Sequence, residues 1–204
     1  AQLLGLLGVL GHARLQVTAV DRDRGALELL PELLAAVHEA TGRGGRVELA
    51  LHRHDLMQPL ARPGRHDLIV AGSVLNELSA DRRLPLAREL LDRLAPGGHL
   101  VLLEPALRET TRALHRLRDA LLADGDATVF APCTRQGPCP ALLDTGEWCH
   151  ERRAWEPPPG AREIGAATGL RRRWLKWSYV TLGRDGANLG PHLWRVVSQP
   201  LKSK

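Results

Sequence analysis

The sequence predicts an α/β fold, a largely parallel sheet wound by helices on both faces, and three observations carry that prediction. From residue 2 to 182, short apolar runs rich in Val and Ile alternate with longer segments of helical period, the rhythm of strands joined by crossover helices. The runs 69–71 and 101–103 are apolar on both faces, as central parallel strands are when helices cover each side. Each candidate strand also ends in polar residues, and open α/β sheets bind ligands beyond the carboxyl ends of their strands.

Taken in order, the chain opens on "AQLLGLLGVLG". Gly5, Gly8 and Gly11 form a G-x-x-G-x-x-G that follows no strand and has the wrong spacing for a phosphate loop. The intervening leucines make it a helix, so the expectation is a sheet entered after its first strand, inside the first helix. Strands are predicted at "LQVTAV" (15–20), "RVELALH" (46–52), "HDLIVAG" (66–72) and "HLVLLEP" (99–105). Helices are predicted at 24–40, 80–94 and 107–123. The second carries the stripe Leu86, Leu90, Leu91 and Leu94 and is stopped by "APGG"; the third carries Leu114, Leu117, Leu121 and Leu122, with Gly125 just past its end.

After residue 124 the texture changes. Residues 125–168 are rich in Gly and Pro and hold little periodicity, which marks an insertion organised by something other than a hydrophobic core. Regular pattern resumes with "RRRWLKWSYVTLGR", so three regions are expected: an α/β core at 1–124, a cysteine-bearing insertion at 125–168, and C-terminal strands at 169–204.

Composition narrows the function classes. With 204 residues, 44% hydrophobic and 25% charged, the chain can bury one substantial core and is no disordered polymer. No run reaches the roughly 20 apolar residues of a membrane span, so no membrane partner is expected. The net charge of +5 favours a polyanionic partner, and Lys176, Lys202 and Lys204 are the only lysines. The basic side chains are therefore mostly arginine, which suits phosphate and base recognition.

Cys133, Cys139 and Cys149 are the only cysteines, and all fall in "APCTRQGPCPALLDTGEWCH" (131–150). An odd number in a chain without a secretory signal argues for a reducing compartment, where clustered cysteines bind metal more often than they form disulfides. On a loop stiffened by Pro132, Pro138 and Pro140, thiols spaced C-x5-C-x9-C can converge on one centre at reduced entropic cost. A poorly cored insertion is also where a metal supplies missing stability. The spacing is not that of a zinc ribbon and leaves the metal open. His150 is a conceivable extra ligand, though a hydrogen-bonded histidine is the plainer reading.

At the strand ends, Asp21 is placed to accept hydroxyl hydrogen bonds from a ribose, with a turn or helix cap as the competing role. Asp55 stands where a carboxylate meets an adenine; Ser73, Asn76 and Glu77 follow the third strand, and Glu104 ends the fourth. A nicotinamide dinucleotide would use a similar acid, but its Gly-rich turn is not seen here.

The segment "LLDRLAPGGHLVLLEP" resembles that of class I S-adenosylmethionine-dependent methyltransferases. The order "VLNEL", "LLEP", a helix, "APC…GPCP…WCH" and "WSYVTLGR" is similar, over nearly the whole chain, to the small ribosomal subunit Rsm family of methyltransferase-like proteins. That resemblance implies a Rossmann-like sheet with a reversed hairpin at its C-terminal edge, and S-adenosylmethionine contacted by Asp21, Asp55, Ser73, Asn76 and Glu77. It also implies a 4Fe-4S cluster held by Cys133, Cys139 and Cys149, with its fourth ligand beyond Lys204; zinc is the alternative. Partners would be small-subunit rRNA and proteins rather than DNA, in the bacterial cytoplasm or the mitochondrial matrix. Arg171, Arg172, Arg173 and Lys176, interleaved with Trp174 and Trp177, are the candidate RNA contacts. Both an rRNA methyltransferase and a non-catalytic assembly factor on the same scaffold meet these expectations.

Overall fold

The computed structural model describes residues 2–10, 14–42, 47–60, 64–170, 173–186 and 195. They fall into two compact units, residues 1–61 and residues 62–204.

In the first unit, helix α1 (Gln2–Leu10) is followed by strand β1 (Leu15–Asp21), helix α2 (Arg24–Thr41) and strand β2 (Val47–Arg53). The leucine-rich start is thus helical, as its pattern predicts. Strands β1 and β2 pair in parallel from Leu15 opposite Val47 to Asp21 opposite Arg53, and α2 is the crossover that parallel pairing requires. Its ends are fixed locally. Asp23 accepts a hydrogen bond from Ala26 N at 3.2 Å as the N-cap, and Gly42 closes the helix at φ +66° with its N–H on His38 O at 2.8 Å.

The second unit runs β3 (His66–Gly72), a 3-10 turn (Leu75–Glu77), α3 (Ala80–Leu91), β4 (Leu94–Pro105), α4 (Arg108–Ala123) and β5 (Thr128–Ala131). It continues with a 3-10 turn (Pro140–Leu142), β6 (Glu151–Ala154), α5 (Pro159–Thr168) and β7 (Trp174–Gly183). The strand order is β3-β4-β7-β5, with β6 also on β7. Strands β3 and β4 are parallel, whereas β7 runs antiparallel to β4, and β5 and β6 run antiparallel to β7. The reversed C-terminal strand is therefore present. Leu86, Leu91, Leu100, Leu102, Leu114, Leu121, Val129, Val180 and Leu182 are each 2% exposed or less and form the core, each leucine contributing about 1.5–3 kcal/mol by burial.

The structure corrects three expectations. Strand β4 begins at Leu94, so "APGG" lies inside the strand instead of stopping α3, and Leu94 is a strand residue. The register jumps from His66 opposite Leu94 to Leu68 opposite His99, and the glycines serve this bulge. Gly97 adopts φ +73°, while a Cβ on Gly98 would stand 2.8 Å from His66 O. Of the two strands expected to be central, β3 lies at the end of its unit's order with Ile69 half-buried, and β4 alone is flanked on both edges there. Finally, the segment 125–168 carries β5, β6 and α5, because strands of four residues are too short to show a period. No described helix is long and apolar enough to cross a membrane.

Candidate metal centre and strand-end residues

The cysteine loop stands on one strand. Ala131, the last residue of β5, pairs with Thr181, and Glu151, the first of β6, pairs with Trp177. Both feet therefore rest on the same edge of β7, four residues apart, about 13 Å at the usual strand rise of roughly 3.3 Å per residue. Cys133 and Cys149 each lie two residues inside those feet, and Cys139 opens the 3-10 turn between them.

One face of α4 shapes this loop. Thr111, Arg112, His115, Arg118 and Asp119 recur at helical spacing beside the leucine stripe. Arg112, 8% exposed, donates to the carbonyls of Ala141 (3.0 Å), Leu142 (3.2 Å), Asp144 (2.7 Å) and Glu147 (2.7 Å). Arg118, 1% exposed, donates to Gly137 O at 2.9 Å and Arg135 O at 2.5 Å and is ion-paired with Asp119. Asp119 in turn accepts from Cys139 N at 2.9 Å. His115 Nε2 donates to Cys149 O at 3.3 Å, and Ser178 Oγ donates to the same carbonyl at 3.0 Å while bonding Thr111 Oγ1 at 2.7 Å. Burying arginines is costly unless each is paired and hydrogen-bonded; here they satisfy loop carbonyls that no regular structure serves.

The thiols face cations. Burial pushes the Cys133 and Cys139 thiols up; Cys149 adds to the rise at Cys133 and Cys133 to that at Cys139, while Arg118 draws both down. Arg195 Nη1 reaches Cys149 Sγ at 3.4 Å and is ion-paired with Glu151. Three buried polar atoms have no partner among the described residues, and two of them, His115 Nδ1 and Arg118 Nε, lie on α4 beside this loop. Thiols on one loop with cations beside them are suitable donors for a group bound through sulfur, since a bound metal deprotonates its thiols outright. Among the described residues no three His, Cys, Asp or Glu side chains form a site for a single metal ion. His150 donates Nδ1–H to Trp148 O at 3.1 Å and stacks on Trp148 at 5.7 Å, the hydrogen-bonded role its sequence position predicts.

In the first unit, Asp21 and Asp55 are both exposed at the carboxyl end of the parallel pair. Each has one oxygen engaged in a local turn, Asp21 Oδ1 by Asp23 N at 2.9 Å and Asp55 Oδ1 by Met57 N at 3.0 Å. The helix cap is Asp23, not Asp21. In the second unit, exposed Ser73 and Glu77 and half-buried Asn76 follow β3. Ser73 adopts φ +57°, and its N–H donates to Leu103 O at 2.7 Å. Glu104, 2% exposed, accepts from Leu75 N at 2.9 Å and clamps this turn, and burial pushes its carboxyl up.

Of the candidate RNA contacts, Arg171 and Arg172 lie outside the described residues. Arg173 is exposed just before β7, with its carbonyl accepting from Trp155 N at 3.0 Å, and Lys176 is exposed on β7. Sequence reasoning missed Arg112, His115 and Arg118. The available signal was their shared helical spacing on a helix whose leucines already account for a core stripe.

A parallel αβ arrangement closed by an antiparallel last strand, with polar residues at the strand ends, defines a class I methyltransferase-like fold. In solved structures it is similar to a methyltransferase-assigned protein from Thermoplasma acidophilum (11% identity, TM-score 0.52, 90% of this chain and 63% of that one). It is also similar to the S-adenosylmethionine-dependent methyltransferase SibL in its apo form (21% identity, TM-score 0.46, 68% of this chain and 45% of that one). The chain thus spans less than two thirds of the length of either. The family model for mitochondrial small ribosomal subunit Rsm22 matches residues 9–204, and the chain belongs to that family. No curated protein matches it in sequence.

Proposed function

We propose that this chain is a methyltransferase-like protein that methylates small-subunit rRNA or assists assembly of the small ribosomal subunit, and that its β5–β6 loop holds an iron–sulfur cluster. What supports this reading is that the one loop carrying Cys133, Cys139 and Cys149 is shaped by one face of α4, with Arg118 beside Cys133 and Cys139 and Arg195 on Cys149. Those cysteines would supply three of the four ligands of a 4Fe-4S cluster; zinc is the alternative occupant. A bound cluster supplies a rigid cross-link, and electron transfer where its potential allows. The α4 face orients the ligands: Asp119 holds the Cys139 amide, and His115 and Ser178 hold the Cys149 carbonyl.

For S-adenosylmethionine, Asp21 and Asp55 are the proposed contacts to the adenosine portion from the first unit. Ser73, Asn76 and Glu77, on the turn after β3, are proposed as contacts from the sequence reading alone. Methyl transfer requires chiefly alignment of donor and acceptor, so a turn fixed by Glu104 serves it without a general base. The non-catalytic alternative is favoured by a different feature: the cysteine loop continues directly into β6, so a cluster would brace that strand with no help from a methyl donor. The proposed setting is the mitochondrial matrix in a eukaryote or the cytoplasm in a bacterium.

Calorimetric titration with S-adenosylmethionine, followed by tritiated methyl transfer to small subunits, tests the two forms. Binding with transfer supports the enzyme. Cosedimentation with small subunits but no S-adenosylmethionine binding supports the assembly factor, and absence of both overturns the proposal.

A further inference from the structure

The ribbon made by β6 and the start of β7 is open to solvent on both faces. Arg152, Arg153, Ala154 and Lys176 are exposed, with Trp174 46% and Leu175 40% exposed. The register sets Arg152 directly opposite Lys176 and Ala154 directly opposite Trp174. Opposed residues share a face and alternate residues return to it, so Arg152, Ala154, Trp174 and Lys176 form one surface. The Arg152 guanidinium lies 4.5 Å over the Trp174 ring.

Two features of this surface are costly for an isolated protein. Like charges directly across a strand pair destabilise it, and neither Arg152 nor Lys176 has an ion pair among the described residues. Glu151, the carboxylate of β6, sits on the opposite face and is taken by Arg195. A large aromatic ring is also left half open between these cations. Both costs are relieved by one ligand chemistry, an anionic chain that carries flat aromatic groups. A base paired within a duplex has both faces covered by its neighbours, whereas an unpaired base can stack on an aromatic side chain.

We propose that Arg152, Trp174 and Lys176 bind an unpaired segment of small-subunit RNA, with one base on the open side of Trp174 and backbone phosphates on the two cations. This rests on the small-subunit reading above and adds the form of RNA bound and the residues that bind it. Because β6 begins two residues after Cys149, the cysteine loop and the ribbon are one continuous structure.

The test is fluorescence anisotropy of the whole protein with a 12-nucleotide unpaired RNA and with the same sequence as a duplex, beside cosedimentation with small subunits. The expected result is preference for the unpaired strand and about a tenfold loss with Trp174→Ala, as one base stack contributes roughly 1–3 kcal/mol. Trp174→Phe should recover most of the affinity. The Arg152→Gln, Lys176→Gln pair should flatten the log–log salt dependence by about 1.4, the loss of two single-strand phosphate contacts. These side chains are exposed, so an unchanged thermal midpoint confirms folding. Preference for duplex, or unpaired-RNA binding indifferent to all these variants, overturns the inference while leaving the small-subunit reading standing. Loss of subunit binding in the variants without any binding of free RNA overturns it in favour of a protein surface. Failure of the unaltered protein to bind either RNA or subunits overturns the small-subunit reading itself.

Discussion

Arg112 and Arg118 carry the cysteine loop, yet their letters do not distinguish them from Arg116, which is exposed on the same helix. The difference arises from where the helix faces, and only the fold sets that. The leucines between them were legible as core because apolar periodicity has one common reading; a buried arginine has none until its acceptors are known. Arg112→Ala should cost about 3 kcal/mol in urea denaturation, because four loop carbonyls lose their donor. Arg112→Lys should recover only part of it, since an ammonium cannot reproduce the planar fork. Glu104 gives a pH prediction. Burial raises its folded value above the unfolded one, so its contribution to stability is fully present below the unfolded value and is lost as pH rises through the folded one. Glu104→Gln should remove that fall while its carbonyl still accepts from Leu75 N, as read by denaturation midpoints from pH 4 to 8.

At the scale of elements, β1, β2 and β3 emerged close to their predicted bounds because each is seven residues with a readable apolar pattern. The "APGG" segment misled because Pro-Gly-Gly stops a helix and also builds a bulge, and the two differ only in which strand lies alongside. The close approach of Gly98 to His66 O decides between them. Gly98→Ala should therefore destabilise by about 1–3 kcal/mol through overpacking, whereas Gly97→Ala, with open space around its Cβ, should lose about 1 kcal/mol from left-handed strain. Thermal melts of the two variants check the order. Strands β5 and β6 escaped the sequence entirely: four residues cannot establish alternation, and both depend on β7, which follows them in the chain.

For the whole molecule, family and fold were legible from motif order, since "LLEP", the cysteine run and "WSYVTLGR" follow one another as in the family that the chain resembles. Of the proposed site, the sulfur atoms were legible in the sequence and the groups that hold their loop were not. Spacing names Cys133, Cys139 and Cys149, but the carbonyl network from α4 and the common footing on β7 are properties of the folded chain. On the proposed reading, removing the cluster should loosen the stretch between those feet first, and hydrogen exchange after chelation should show faster exchange at residues 132–150 than in β4. The central claim is that this loop holds an iron–sulfur cluster. It is tested most directly by iron, zinc and acid-labile sulfide analysis of anaerobically purified protein beside its Cys139→Ser variant. The account predicts iron and sulfide in equal amounts, falling sharply in the variant; zinc without sulfide, or a folded protein carrying neither metal, would contradict it.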